Sequence, residues 1–202
     1  MSWWRRNRWA LLGLPLALAA ALVASSDRVS SYFWHAGLHA PDRAPAGLWL
    51  EHRDLVFSDA SGEAGEVPIE VGVRLHGIAG TTQGWEADSL VLPGGARAIR
   101  VDLTLRADPD EPLRGCFLAL RDADGTRYDY AWDAAGAYQP SSPCVPSLTP
   151  GPWSAFGGDT EEEGPRPAEW TVAPVVVVPE DADIVEVLLW WQPPAYVALS
   201  VG

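Results

Sequence analysis

The chain has 202 residues, and its charge is divided unevenly along its length. All 27 acidic residues lie from Asp27 onward, against 11 arginines in the same stretch, and the chain contains no lysine. Such an acidic surface repels nucleic acid and anionic lipid, which excludes nucleic acid as a partner. Once about forty N-terminal residues are set aside, about 160 remain, which suits one domain with a single core.

The first predicted elements are a cytoplasmic tail (residues 1–8) and a transmembrane helix (residues 9–26). An arginine cluster precedes an uncharged run from Trp9 to Ser26, which as a helix is about 27 Å long and nearly spans a bilayer. Arginines before the run and acidic residues after it predict a cytoplasmic N-terminus and an extracytoplasmic remainder. We therefore expect a single-pass protein of the cell membrane. A cleaved signal peptide is the alternative, because residues 24–26 are small.

The segment that follows is predicted to be a juxtamembrane linker, residues 27–47. Its second part, from Gly37 to Gly47, is rich in proline, alanine and glycine. Such a composition is typical of a short, stiff spacer. The extracytoplasmic domain is accordingly predicted to cover residues 48–202.

From Leu48 onward, short runs with period two predict strands. Residues 67–75 place an apolar side chain at every second position, and so do residues 99–105. The predicted strands are 48–57, 67–78, 98–107, 116–121, 127–132, 170–178, 184–191 and 195–201. About eight short strands and no soluble helix predict an all-β fold, either a sandwich or a barrel, and the antiparallel sandwich is the one we expect. The segment from Ala134 to Ala168 is predicted to be a loop that crosses between the two sheets.

The stretch RGCFLALRDADGTRYDYAW, residues 114–132, contains two alternating runs joined by Asp124-Gly125. Glycine tolerates the positive φ of a hairpin turn, so this dipeptide predicts a β-hairpin. A calcium loop of the EF-hand type is the alternative. That loop would need glycine at its sixth position and glutamate at its twelfth, and counting from Asp122 neither residue is there. The turn is therefore favoured.

The chain contains two cysteines, Cys116 and Cys144. In an oxidising compartment two lone cysteines usually pair, so we predict a disulfide between them. Closing a loop of about 29 residues stabilises the fold by about 3.5 kcal/mol on the chain-entropy model. A catalytic thiol is the alternative, but the sequence places no histidine beside either sulfur.

The second half of the chain, about Ala98 to Val201, resembles the immunoglobulin-like sandwich domains of secreted and membrane-tethered envelope proteins from actinobacteria and other Gram-positive bacteria. Its marks are a D-x-D-G-x-x-Y hairpin and a strand that ends in V-P-E, formed by Asp122, Asp124, Gly125, Tyr128, Val178, Pro179 and Glu180. The resemblance implies an immunoglobulin-like β-sandwich of the cell envelope. It supplies no catalytic residues, because fold alone does not carry function.

Residues that could carry chemistry are few. His35 and His39 are four apart but lack the glutamate of a zinc-protease helix, and His52 and His76 are expected on polar, solvated strand faces. Loose calcium binding is the alternative for two acidic clusters, which consist of Asp108, Asp110, Glu111 and Glu161–Glu163. We predict no catalytic, cofactor-binding or metal-binding residues.

Trp190 and Trp191 are adjacent on a predicted strand, so their side chains point to opposite faces. One is expected in the core and the other under the loop from Ala134 to Ala168; an interaction surface is the alternative for this pair. The function that the sequence favours is a non-catalytic, membrane-anchored interaction or accessory module, with an envelope protein as partner. A small envelope hydrolase and a calcium-dependent adhesive module are the alternatives. The hydrolase would require a pocket that joins His52 or His76 to two carboxylates.

Overall fold

The computed structural model describes residues 3–29, 37–58, 65–84, 88–136, 138–152 and 165–202. In these residues one helix, α1 (Trp3–Val29), precedes ten strands. The strands are β1 (Ala40–Pro45), β2 (Leu50–Ser58), β3 (Gly65–Thr81), β4 (Ala96–Arg106), β5 (Phe117–Asp122), β6 (Arg127–Asp129), β7 (Glu169–Val172), β8 (Val175–Pro179), β9 (Ile184–Trp190) and β10 (Ala195–Ser200).

The strands form two sheets that pack on one apolar core. The first has the order β1-β10-β9-β5-β6, and the second has the order β2-β3-β4-β7 with β8 also paired with β4. Inward-facing side chains of both sheets meet in one cluster, which includes Val71, Val101, Leu103, Leu120, Leu189 and Val197. The prediction of an all-β, two-sheet sandwich is confirmed.

The alternation predicted for β3 and β4 is present, with one interruption. Val71, Val73 and Leu75 are fully buried on the inner face of β3. The pairing of β3 with β4 shifts between Leu75 and Gly77, so His76 is an extra residue in a β-bulge. A bulge exchanges the faces of the residues beyond it, and Ile78 accordingly packs on the core from an even-numbered position.

Strand β1 lies where the sequence predicts a linker. Residues 40–45 pair in parallel with β10, from Ala40 opposite Ala195 to Pro45 opposite Ser200. The linker prediction over residues 27–47 is therefore wrong for this part of the segment. A proline-rich strand without alternation gives no local signal, and its partner lies more than 150 residues further along the chain. It also adds one parallel pair to a sandwich predicted to be antiparallel.

Helix α1 covers the residues predicted to span the membrane. Among the residues described, no helix combines the length and the mean hydropathy needed for a membrane crossing. The predicted transmembrane helix is thus not supported by the structure.

The predicted strand 170–178 is divided into β7 and β8. Both segments pair with β4, and the break falls at Ala173-Pro174. Proline has no N–H to donate to a neighbouring strand, although the Pro174 carbonyl still accepts a hydrogen bond from the Val101 N–H at 2.9 Å. The break therefore lies beside the middle of β4.

The hairpin between β5 and β6 confirms the predicted turn. Gly125 has a φ of 86°, a value that favours glycine. The Asp122 carboxylate accepts hydrogen bonds from the Thr126 N–H and the Tyr128 hydroxyl, each at 2.8 Å. These bonds, the tyrosine's first, hold the pKa of Asp122 below its usual value. The acidic residue of the motif therefore holds the turn together.

The predicted disulfide is present. Cys116 precedes β5 and bonds to Cys144 in the loop after β6, with 6.2 Å between the two Cα atoms. The described residues contain no free cysteine.

Candidate functional site

A surface cavity, here called the loop cavity, has a volume of about 690 Å³. It lies between the loop 139–149 and the break between β7 and β8. Its walls combine prolines, aliphatic side chains and hydroxyl groups, and include His76, Asp102, Tyr130, Ser142, Leu148 and Thr171. This volume is typical of a small-molecule or peptide site.

Buried contacts hold the loop 139–149 against the sandwich. The Cys144 carbonyl accepts a hydrogen bond from the Trp170 indole at 2.7 Å, and the Gln139 side-chain oxygen accepts one from the Val175 N–H at 2.9 Å. The Tyr130 hydroxyl donates to the Pro140 carbonyl at 2.5 Å, and burial raises the pKa of Tyr130. With the disulfide, these contacts make the wall of the loop cavity a fixed surface.

Two polar groups of the loop cavity, those of His76 and Asp102, already have partners. His76 Nε2 lies 2.6 Å from the Thr104 hydroxyl, and the Asp102 carboxylate is paired with Arg100 at 2.9 Å. General-base catalysis needs a base within hydrogen-bond reach of its nucleophile, oriented by a third group. His76 instead contacts the Thr104 hydroxyl. The carboxylate that lines the same cavity, that of Asp102, is paired with Arg100.

A second cavity, here called the acidic cleft, has a volume of about 550 Å³ at the β2–β3 end of the sandwich. Three apolar side chains and four charged ones line it: Leu55, Pro68, Ile69, Arg53, Asp54, Glu70 and Glu111. Arg53 and Glu70 form an exposed ion pair at the rim, with 2.9 Å between nitrogen and oxygen. Burial raises the pKa of Glu111, and the positive charge of Arg166 opposes that shift; Asp54 Oδ2 lies 3.8 Å from His52 Nε2.

His52 was expected on a solvated face, and the structure shows that this expectation is wrong. The residue is fully buried, because it lies on the inward face of β2 together with Val56. Its Nδ1 is 2.7 Å from an Asp42 carboxylate oxygen on β1, and its Nε2 is 3.8 Å from Asp54 Oδ2. The ring stacks on Trp191, with 5.9 Å between centroids. His52 therefore links the two sheets at one end of the core.

Neither histidine meets the requirement stated for a hydrolase. His52 has one carboxylate within hydrogen-bond distance and a second at 3.8 Å, and it does not line either cavity. His76 lines the loop cavity beside a single carboxylate, that of Asp102.

Calcium binding is the alternative for the acidic segment 108–111, but the structure places an arginine side chain against its backbone carbonyls. Arg166 is buried and donates to the carbonyls of Asp108 and Glu111, the latter at 2.9 Å. Its guanidinium lies 4.7 Å from the Trp170 ring centroid, and burial lowers the pKa of Arg166 to about 10. In the described part of the chain no three metal-ligating side chains converge.

The tryptophan pair divides between the two faces of β9 as predicted. Trp191 lies in the core and donates to the Leu113 carbonyl at 3.0 Å. Trp190 lies in a smaller cluster on the outer face, under Phe117 at 5.5 Å and Arg127 at 5.4 Å. The sequence predicted that the loop 134–168 covers the outward-facing tryptophan. In the described residues, side chains of β5 and β6 cover Trp190 instead. Both indoles are buried, whereas Phe117 is half exposed.

Sequence reasoning missed three polar residues with structural partners: the exposed Asp42, which contacts buried His52, and the buried Gln139 and Arg166. Asp42 lay in the expected linker, and the other two lay in the expected crossing loop. The period-two pattern of β2 did contain a signal for His52, since Leu50 and Val56 share its face. His35 and Glu161–Glu163 lie outside the described residues.

Comparison with known proteins adds little to this description. The chain matches no protein-family model, and no curated protein matches it. A solved structure that is similar is an uncharacterized β-sandwich protein from Clostridium difficile 630, with 11% identity and a TM-score of 0.37 over 82% of this chain and 96% of that one. The β-sandwich assignment of this chain stands on its own strand pairing, and no ligand or activity passes to it from that protein.

Proposed function

We propose that the chain is a non-catalytic, extracytoplasmic binding module of the bacterial cell envelope, attached to the membrane through its N-terminal segment. The loop cavity is the surface at which it binds a partner. The observation that carries the proposal is this cavity: it is held by a disulfide and buried hydrogen bonds, and its wall offers hydroxyl and apolar groups without a base oriented toward a nucleophile.

Two features support export. A disulfide forms and persists in oxidising compartments, and here it closes the loop that makes the cavity wall. The arginine-flanked, uncharged run at the N-terminus is typical of a leader or an anchor. Membrane attachment and cleavage are distinguished by the mass of the mature protein from each cell fraction.

Strand order supports the immunoglobulin-like form of the sandwich. In that fold strands C, F and G form one sheet, and strands A, B, E and D form the other. Strands β5, β9 and β10 are neighbours as C, F and G are. Strand β4 pairs with β7 and β8 as B pairs with E. The disulfide departs from it, since it joins the start of β5 to a loop.

The test is partner recovery from intact cells that express the full chain, after mild cross-linking. Leu148 lines the loop cavity and is 82% exposed, so Leu148→Arg changes the cavity without disturbing the core. Leu48→Arg is the matched control, at 59% exposure in the turn before β2. We expect the recovered partner to be lost in Leu148→Arg and retained in Leu48→Arg. Equal recovery in both variants would exclude the loop cavity as the binding surface.

A further inference from the structure

His52 Nε2 and Asp54 Oδ2 are closed to solvent, and neither has a hydrogen-bond partner among the residues that the structure describes. The two atoms face each other at 3.8 Å, whereas an N–H···O hydrogen bond measures about 2.9 Å. The His52 side chain is 1% exposed and that of Asp54 is 12% exposed. Polar atoms that are buried without a partner are rare in proteins. One hydrogen placed between these two atoms would satisfy both.

The other contacts of these two side chains determine which atoms face each other. His52 Nδ1 lies 2.7 Å from Asp42 Oδ2 on β1. A carboxylate only accepts, so Nδ1 carries the proton of the neutral ring and Nε2 is an acceptor. Asp54 Oδ1 accepts the Leu55 N–H at 2.8 Å, which leaves Oδ2 toward the ring. In the neutral state of His52, two acceptors therefore meet with no hydrogen between them.

The surroundings of the His52 ring suit a positive charge. Burial alone disfavours a charged imidazole, but Asp42 on β1 and Asp54 on β2 place carboxylates on both sides of it. The Trp191 ring stacks on it with 5.9 Å between centroids, a distance at which an aromatic face attracts a cation. The residue opposite His52 on β3 is the uncharged Val71. Further charged groups lie beyond Asp54, in the acidic cleft: Arg53, Glu70 and Glu111.

We propose that His52 is a proton-dependent clasp between the two sheets. Nε2 takes a proton from solvent, the Asp54 carboxylate closes to hydrogen-bond distance, and the imidazolium then bridges Asp54 on β2 and Asp42 on β1. Strand β1 lies at the edge of its sheet, paired with β10, so a charged His52 holds this edge strand to the opposite sheet. His52 does not line the loop cavity, and the clasp does not depend on the function proposed for that cavity.

The direction of the effect follows from the protonation state. Histidine exchanges its proton near neutral pH, and the second contact of the clasp exists only when the ring is charged. A hydrogen bond to a charged group is stronger than one between neutral groups. We therefore expect β1 to be held more firmly at acidic than at alkaline pH.

The first test counts the protons on the His52 ring of the wild-type protein by ¹⁵N NMR. At about pH 8 we expect one proton, on Nδ1, and at about pH 5 a proton on each nitrogen. The ¹³C signal of the Asp54 carboxylate should change with the same midpoint, because the proton that reaches Nε2 also meets Oδ2. A ring that stays neutral at the lower pH would overturn the proposal. So would a neutral ring with its proton on Nε2, or an Asp54 signal that does not follow the ring.

The second test measures hydrogen exchange of the backbone amides of β1 in the full chain. The rates are compared as protection factors, which remove the direct effect of pH on exchange. We expect protection of the β1 amides to increase about tenfold from about pH 8 to about pH 5, since one charge-assisted hydrogen bond is gained. Constant protection over this range would show that His52 does not hold β1 and would overturn the proposal.

Asp54→Asn supplies the missing hydrogen without a proton from solvent. Since the Oδ1 position accepts the Leu55 N–H, the amide oxygen is expected there, and the amide nitrogen then takes the position of Oδ2 and donates to neutral Nε2. We expect this variant to show at about pH 8 the β1 protection that the wild type reaches at about pH 5, with little further change. Protection in Asp54→Asn that depends on pH as in the wild type would contradict the proposal.

His52→Asn keeps a donor toward Asp42 but cannot take up a proton, so its β1 protection should stay low across the range. His76→Asn, which removes an exposed histidine from β3, is the matched control and should keep the pH dependence of the wild type. A wild-type pH dependence in His52→Asn would assign the effect to another group, such as Glu111, and overturn the proposal. The proton count on the wild-type ring still decides if a variant fails to fold.

Discussion

Removing the disulfide is expected to lower the free energy of unfolding by about 3.5 kcal/mol. Cys116 and Cys144 are 28 residues apart, and opening this loop returns conformational freedom to the unfolded chain. For a domain of this size the loss corresponds to a decrease in melting temperature of about 10 °C. The hydrogen bond from Trp170 to Cys144 and the one from Val175 to Gln139 do not involve the sulfurs, so they are expected to hold the folded loop in place.

The assay is thermal unfolding of the wild type and of the double variant Cys116→Ala, Cys144→Ala, each with and without reductant. We expect reductant to shift the wild type to the midpoint of the variant and to leave the variant unchanged. A shift of less than about 2 °C in the variant would refute the reasoning. It would mean that the bond adds little constraint to the unfolded chain.

Three further changes test local features of the sandwich. Gly125→Ala is expected to destabilise the hairpin by about 1–2 kcal/mol, because φ is positive there. Gly94→Ala is the control, since no atom lies within 4 Å of the added carbon. The midpoint of urea unfolding should decrease in the first variant and change little in the second. The lowered pKa of Asp122 contributes stability above its unfolded pKa that is lost as the pH falls through the folded value. The stability difference between the wild type and Asp122→Asn should therefore be constant at neutral pH and shrink below about pH 4, and a constant difference down to pH 2 would contradict this. Trp191→Phe loses the bond to a buried carbonyl and should cost about 2–3 kcal/mol, whereas Trp132→Phe, at 55% exposure, should cost under about 0.5 kcal/mol. Equal losses in the two tryptophan variants would show that the indole bond contributes nothing.

The sequence predicts those parts of the fold that depend on neighbours along the chain. Alternation identified β3 and β4 because each buries one face, and Asp124-Gly125 identified the hairpin because the turn is local. Strand β1 and the buried state of His52 could not be predicted in this way. The first depends on a partner strand at the other end of the chain, and the second depends on Asp42 and Trp191 closing over the ring.

The two cavities were beyond sequence reasoning for the same reason. The acidic cleft takes Asp54 from β2, Glu70 from β3 and Glu111 from a loop. The loop cavity depends on the break at Pro174 and on the bulge at His76. A proline in a strand predicts an irregularity, but neither residue alone indicates that space is left beside it.

The parallel pairing of β1 with β10 has a mechanical consequence. The two strands run in the same direction, so the start of β1 lies beside the start of β10 and their ends lie together at residues 45 and 200. Tension applied between the segment before β1 and the C-terminus would pull the strands past each other. All the hydrogen bonds of a parallel ladder, which are evenly spaced, would then be loaded together instead of opening one at a time. The junction between the domain and its N-terminal segment is thus built to resist pulling along the chain.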